Sequence, residues 1–359
     1  MAPSIESVGR ALPAHYADQE MLIATFRERW AEQHYNLERL ESLHRAVQVS
    51  GRYLAVPITE YVRLDSFAKR NQAWRRVAVE IGESAIRRAL GAANLSVGDV
   101  DHLFFGTVTG VSTPSIDAQL MNRLGLRPNV KRTPIFGLGC VGGAATLARA
   151  ADYLLAFPDQ CAVVLAVELC SLTLQREDLS VANIIASGLF GDGAAAAVLC
   201  GAARNPPGER SRDASAPRVL GTRSIFYPNT ERVMGWDVVD SGFKVVLSSK
   251  VPEIVRQYIR RDVDSFLSAH GLDRLQISHW IAHTGGPKVL QAFEASLELP
   301  SGALDGSWRS LSETGNLSSA SVLFVLGELL DAKTARPGDY GLLLAMGPGF
   351  CSELVLLQW

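Results

Sequence analysis

One stretch limits what this chain can become more than any other: Phe136-Gly137-Leu138-Gly139-Cys140-Val141-Gly142-Gly143-Ala144-Ala145. A mostly apolar run at 133–136 leads in and is expected to be a buried strand, and residues 144–155 lead out with helical spacing. A cysteine among glycines between strand and helix has the layout of a nucleophile elbow, a sharp turn that presents a reactive side chain at a helix N-terminus. The unpaired N–H groups and positive dipole end found there favour thiolate over thiol. Cys140 is therefore a candidate covalent nucleophile. Two other readings fit the same residues. Free cysteines are among the most buried residue types and mostly fill cores. Gly137-Leu138-Gly139-Cys140-Val141-Gly142 also satisfies the dinucleotide pattern G-x-G-x-x-G, with Glu168 at the end of the next apolar run, 161–167.

The rest of the chain alternates strand and helix patterns. Residues 16–35 suggest an amphipathic helix with Met21, Leu22, Phe26 and Trp30 on one packed face. Further helices are expected at 71–90, 114–124, 251–270, 287–297 and 321–330, and strands at 102–108, 160–168, 194–199, 218–225, 280–282, 341–346 and 353–359. The Pro-, Gly- and Ser-rich segment 202–217 reads as a linker between an N-terminal half, 1–201, and a C-terminal half, 218–359. A length of 359 residues exceeds what one core usually serves, which agrees with two fused halves. Alternation repeated in both halves implies an α/β layered fold.

Bulk chemistry removes several function classes. A net charge of −2 gives no basic excess to neutralise phosphates, so nucleic acid is not an expected partner. The five cysteines, at 140, 161, 170, 200 and 351, include no C-x-x-C pair, which argues against structural zinc and a disulfide framework. Residues 1–13 lack the apolar core of a signal peptide, and no apolar run approaches the roughly 20 residues of a membrane span. A reducing cytoplasm is the expected setting.

Two more reactive side chains sit at element boundaries among glycines. His283 lies in Ile281-Ala282-His283-Thr284-Gly285-Gly286-Pro287, and Asn316 in Gly315-Asn316-Leu317-Ser318-Ser319-Ala320. Taken singly, each has a structural explanation, Asn316 as a helix cap. With Cys140 they suit one chemistry: a thiolate needs an imidazole to hold it ionised, and a thioester carbonyl needs N–H donors for its developing oxyanion.

These motifs, with Leu124-Gly125-Leu126-Arg127-Pro128-Asn129-Val130-Lys131-Arg132, Leu189-Phe190-Gly191-Asp192-Gly193-Ala194-Ala195-Ala196 and Gly347-Pro348-Gly349, make the chain resemble the type III polyketide synthases. Those are the chalcone-synthase-like branch of the thiolase superfamily. The resemblance implies a thiolase-like fold of two fused αβαβα halves, a homodimer, and a buried cavity. It implies that an acyl-CoA primes Cys140 and that malonyl-CoA units extend it by decarboxylative condensation. His283 would stabilise the thiolate, and His283 with Asn316 would hold the enolate oxygen. Phe190 matches the family's aromatic gatekeeper. Its second gatekeeper falls at Val245 when Val251-Pro252 anchors the match, or at Phe243 with a shift of two residues. Cys170 and Thr173 match cavity positions, and Ser318, Gly347 and Pro348 join the substrate-binding set. Trp236 stands where plant members carry glycine. No metal or cofactor is called for, because the thioester already activates the carbon. Arg45 and Arg52 are weak candidates for the CoA phosphates, with surface solvation the plainer explanation. The run from Glu231 to Phe243 is similar to the bacterial alkylresorcinol and alkylpyrone synthases, which implies a long fatty acyl starter and cyclisation to such a product. A ketoacyl synthase III-like enzyme using acyl carrier protein is the alternative within the superfamily.

Overall fold

Successive side chains of a strand point to opposite faces, and in the central strands here the two faces enter different cores. The computed structural model describes residues 2–31, 36–204 and 216–359. Its strands are β1 (Ser4–Ala11), β2 (His15–Asp18), β3 (Gly51–Leu54), β4 (His102–Thr107), β5 (Lys131–Phe136), β6 (Cys161–Leu169) and β7 (Asp192–Cys200), followed by β8 (Arg218–Phe226), β9 (Met234–Val239), β10 (Gly242–Leu247), β11 (Ile277–Ala282), β12 (Tyr340–Gly347) and β13 (Cys351–Gln358). Its helices are α1 (Gln19–Trp30), α2 (Leu37–Ala46), α3 (Phe67–Ala92), α4 (Ile116–Leu124) and α5 (Gly142–Ala156), then α6 (Val181–Leu189), α7 (Val251–Ser268), α8 (Pro287–Leu297), α9 (Asp305–Thr314) and α10 (Ser321–Ala332).

Among the described residues, nine strands join in the order β11-β12-β13-β8-β1-β7-β6-β4-β5. The two halves meet where β1 touches β8 at the single pair Ser4↔Arg218, whereas β1 runs antiparallel to β7 from Ser4↔Cys200 to Ala11↔Ala194. In β6, Val163, Leu165 and Val167 pack on α3 through Ala78, Ile81 and Ala85. Ala162, Val164 and Ala166 face the other way, onto α5 and α10. In the second half, Leu343 and Ala345 of β12 and Val355 and Leu357 of β13 enter that same middle core. Their neighbours Leu342, Leu344, Leu354 and Leu356 pack outward on α7 and α8. The layers therefore run α3, the N-terminal half of the sheet, α5 with α10, the C-terminal half of the sheet, α7 with α8, which is the α/β layering expected from the sequence. Sandwiched between sheets, α5 is buried from Gly142 to Ala148 without a polar face, as a helix covered all round must be.

Some expectations are corrected. The strand at 131–136 is an edge strand paired only with β4, so Phe136 is 54% exposed rather than buried. The helix expected at 16–35 begins after β2, and Leu22, Phe26 and Trp30 are buried while Met21 is 49% exposed. One residue is a step of about 100° around a helix, enough to turn Met21 off the packed face. Residues 32–35 of that span and 205–215 of the linker lie outside the described residues. Trp236 and Val245 occupy a hairpin, β9–β10, that alternation did not suggest.

Candidate active site

The cysteine turn is held by backbone geometry before any chemistry. Gly139 takes φ +52°, a left-handed turn that costs a side-chain-bearing residue and suits glycine. The turn Gly139–Val141 runs straight into α5. Gly347 and Pro348 wall it in: a Cβ on Gly139 would lie 2.7 Å from the Pro348 ring, and one on Gly347 would lie 2.6 Å from the Val141 nitrogen. On the other side, the Asn316–Ala320 loop presses on the helix start. Cys140 Sγ is 3.8 Å from Ser318 Oγ. Asn316 Oδ1 accepts from the Ser318 N–H at 2.8 Å and from Ser321 Oγ at 3.4 Å, which occupies the oxygen and leaves the NH₂ group as the donor.

The same loop is tied to the expected gatekeeper. The Asn316 N–H donates to the Leu189 carbonyl at 2.9 Å, and the Gly191 N–H donates to the Asn316 carbonyl at 3.0 Å. Phe190 and Asn316 are thus braced as one strand-like bridge. His283 follows β11 directly. Its N–H donates to the Leu344 carbonyl of β12 at 3.0 Å, and both ring nitrogens are buried without a hydrogen-bond partner among the described residues.

Electrostatics set the resting state. Burial pushes the Cys140 thiol up to about 12, with Glu168 adding to the rise and hydrogen bonds from Ser318 and Asn316 opposing it. Burial pushes His283 down to about 3. The helix N-terminus therefore does not by itself keep a thiolate here: desolvation outweighs it. Glu168 accepts from Thr109 Oγ1 at 2.8 Å, the Val108 N–H at 3.1 Å and Ser319 Oγ at 2.5 Å. Burial lifts it to about 7. Its carboxyl clamps the 316–320 loop to the end of β6, so it is not the ribose-binding acid of a dinucleotide site.

The other expected residues line a cavity of about 660 Å³ beside this turn. Phe190, Trp236, Val245, Cys170 and Thr173 all face it. Trp236 and Val245 are cross-strand partners in β9–β10, and the Trp236 ring stands 6.5 Å from that of Phe190. Phe243, the alternative to Val245, is buried with its ring edge-on at 5.3 Å to Phe67. Cys140, His283, Asn316, Ser318, Gly347 and Pro348 are not among the lining residues. The link is Phe190, which lines the cavity while its neighbours Leu189 and Gly191 hold the Asn316 loop. Arg45 is on the surface, paired with Glu20 at 2.9 Å and Glu41 at 3.2 Å. Arg52 is not a solvated surface group: it is 2% exposed and faces the cavity. Nothing in the spacing around Gly51-Arg52-Tyr53 signals this, because burial there comes from α6, far along the chain.

Comparison with known proteins agrees with the geometry. The description "Chalcone and stilbene synthases, N-terminal domain" matches residues 2–204, and its C-terminal counterpart matches 219–359. A 1,3,6,8-tetrahydroxynaphthalene synthase of Streptomyces peucetius subsp. caesius is 49% identical over 356 residues, covering 99% of this chain and 93% of the relative. A putative chalcone synthase of Bacillus subtilis (strain 168) is 39% identical over 360 residues, covering 99% and 98%. The crystal structure of 1,3,6,8-tetrahydroxynaphthalene synthase from Streptomyces coelicolor A3(2), a bacterial type III polyketide synthase, superposes with a TM-score of 0.92 at 32% identity, covering 100% of this chain and 99% of that one. The dinucleotide-binding and ketoacyl synthase alternatives give way to these matches.

Proposed function

The chain belongs to the chalcone and stilbene synthase family, the type III polyketide synthases, and on that premise we propose that it builds an aromatic polyketide from malonyl-CoA on the sulfur of Cys140. Supporting this most is the packing of the Ser318–Asn316 loop on the Cys140 sulfur, braced through backbone hydrogen bonds to Phe190.

Cys140 sulfur attacks the starter thioester while its proton passes to His283 and on to the departing CoA thiolate. A malonyl-CoA then loses CO₂. The enolate oxygen that results is held by the Asn316 NH₂ group and His283, donors fixed in a dry site where they act strongly. The apolar Phe190 ring disfavours the malonyl carboxylate and favours its loss. The enolate carbon attacks the Cys140 thioester, and the chain leaves on CoA two carbons longer, ready to reload. No cofactor beyond the CoA thioesters enters these steps. We take the working form to be a homodimer and, with all five cysteines free, the setting to be the reducing cytoplasm.

Malonyl is the favoured starter. The relatives named for tetrahydroxynaphthalene make a naphthalene skeleton with no alkyl tail, which two-carbon units alone can build. The cavity wall is not wholly apolar, since Arg52, Ser171, Thr173 and Asn183 also line it. A second reading, a long fatty acyl starter closed to an alkylresorcinol or alkylpyrone, is favoured by the apolar wall of Leu22, Phe26, Leu54, Ile58 and Val62. Each buried CH₂ there would contribute about 0.8 kcal/mol. Product analysis separates the two. Malonyl-CoA alone yields an aromatic polyketide on the first reading; a product only when a fatty acyl-CoA is supplied supports the second. On the second reading, Trp236→Gly shifts the product ratio and lengthens the preferred starter, and an unchanged ratio would remove Trp236 from the chain's path.

A further inference from the structure

Arginine is almost never fully buried unless paired, and Arg52 is the exception that faces the chamber. It is 2% exposed. One guanidinium nitrogen donates to the Ser187 carbonyl, and Nη1 has no hydrogen-bond partner among the described residues. The nearest acid by charge, Asp192, is engaged elsewhere: it accepts from the Ala55 N–H at 2.7 Å, the Ser171 N–H at 2.8 Å and the Ser171 hydroxyl. No carboxylate lies within ion-pair distance of Arg52 among the described residues. The chamber's other arginines differ. Arg176 donates to the Val62 and Leu64 carbonyls at 3.1 and 3.2 Å, and Arg29 lies 3.9 Å from Glu177. A buried cation with an unused N–H on a cavity wall is a built receptor for an anionic oxygen.

We propose that Arg52 is the starter-selecting residue of this chamber, its free Nη1–H receiving the terminal carboxylate of a malonyl-primed poly-β-keto chain as that chain grows away from Cys140. The assignment rests on the malonyl-primed reading above. Arg52 shares the cavity wall with Phe190, and Leu189 and Gly191, on either side of Phe190, hold the Asn316 loop against the Cys140 sulfur. In the priming step the malonyl C–S bond to CoA breaks and one to Cys140 forms. The thiol proton leaves with CoA, and the starter carboxylate is kept. Only the extenders lose CO₂, so the kept carboxylate moves outward by two carbons per cycle until Arg52 holds it. A neutral starter of the same shape has nothing to offer that donor.

The test compares two starters in the full chain. Isovaleryl-CoA carries an isopropyl group in place of the malonyl carboxylate, a methyl for each oxygen, and so serves as its neutral isostere. Arg52→Met is expected to lower the rate of product formation from malonyl-CoA alone by roughly tenfold to a hundredfold, the weight of one charge-assisted hydrogen bond. Isovaleryl-primed turnover should stay within about threefold of wild type. Equal losses with both starters would reduce Arg52 to a structural cation, and no loss with either would remove it from the site. If Arg52→Met melts below the assay temperature, Arg52→Lys carries the comparison, since it keeps the charge and loses the planar fork. A wild-type enzyme that is primed by isovaleryl-CoA but makes nothing from malonyl-CoA alone would overturn the starter assignment itself, a failure visible before any variant is assayed.

Discussion

A single methyl group at Gly143 tests how the active site is held. A Cβ there would stand 2.0 Å from the Ser319 carbonyl oxygen and 3.2 Å from Val322 Cγ1. The obstacle is backbone, so no side chain can rotate away. Restoring an ordinary contact of 3.4 Å or more from 2.0 Å requires the 316–320 loop to back off α5 by more than about 1 Å, with an overpacking cost of about 1–3 kcal/mol. In a chain of this length that cost lowers the melting temperature by about 1–4 °C. Asn316 and Ser318 ride on the displaced loop, away from the Cys140 sulfur. A misplacement of about 1 Å costs on the order of a hundredfold in rate. Gly143→Ala should therefore fold, melt slightly lower and lose about two orders of magnitude in polyketide formation, assayed by product release from malonyl-CoA. Near-normal turnover at a lowered melting temperature would mean that the loop does not position the reacting groups.

Two further perturbations follow from the buried charges. On the proposed mechanism, His283→Ala removes the proton acceptor of the thiol and keeps the burial that pushes Cys140 up to about 12. Iodoacetamide labelling of Cys140 near pH 7.5 should then slow by at least about a hundredfold and rise by a decade per pH unit; equal labelling of variant and wild type would show that the imidazole does not act on the sulfur. Glu168 is lifted from 4.5 to about 7, so the folded chain favours its protonated form. The stability this confers is complete below about pH 4.5 and is lost as the pH rises through 7. Glu168→Gln cannot ionise. Melting curves of wild type should therefore fall relative to the variant by roughly 3 kcal/mol between those limits, and parallel curves would contradict the burial of that carboxyl.

Legibility from sequence divided along physical lines. The cysteine turn could be read because its constraint is local: glycines on both sides of Cys140, a strand before and a helix after. The helices with clear apolar faces, such as α3 and α7, were readable for the same reason. No element was expected at Ser4–Ala11, yet β1 joins the two halves of the sheet. Its Ser4, Glu6 and Arg10 hide the pattern because both faces are covered by distant elements, α3 and α10, which the local sequence does not reveal. The β5 edge reads as buried from sequence because Pro134, Ile135 and Phe136 look like core, while the strand lies at the end of the sheet. Arg52 was placed on the surface because charge usually means solvent, and only the tertiary structure brings α6 over it. Glu168 was visible, but the clamp it forms on Ser319 spans half the chain.

The account depends on Cys140 carrying the growing chain. The most direct measurement is intact-protein mass after incubation with an acyl-CoA starter and no extender, followed by peptide mapping. The account predicts a single acyl adduct on the peptide containing Cys140, absent in Cys140→Ala. An adduct that survives in Cys140→Ala, or that maps to Cys161, Cys170, Cys200 or Cys351, would contradict it.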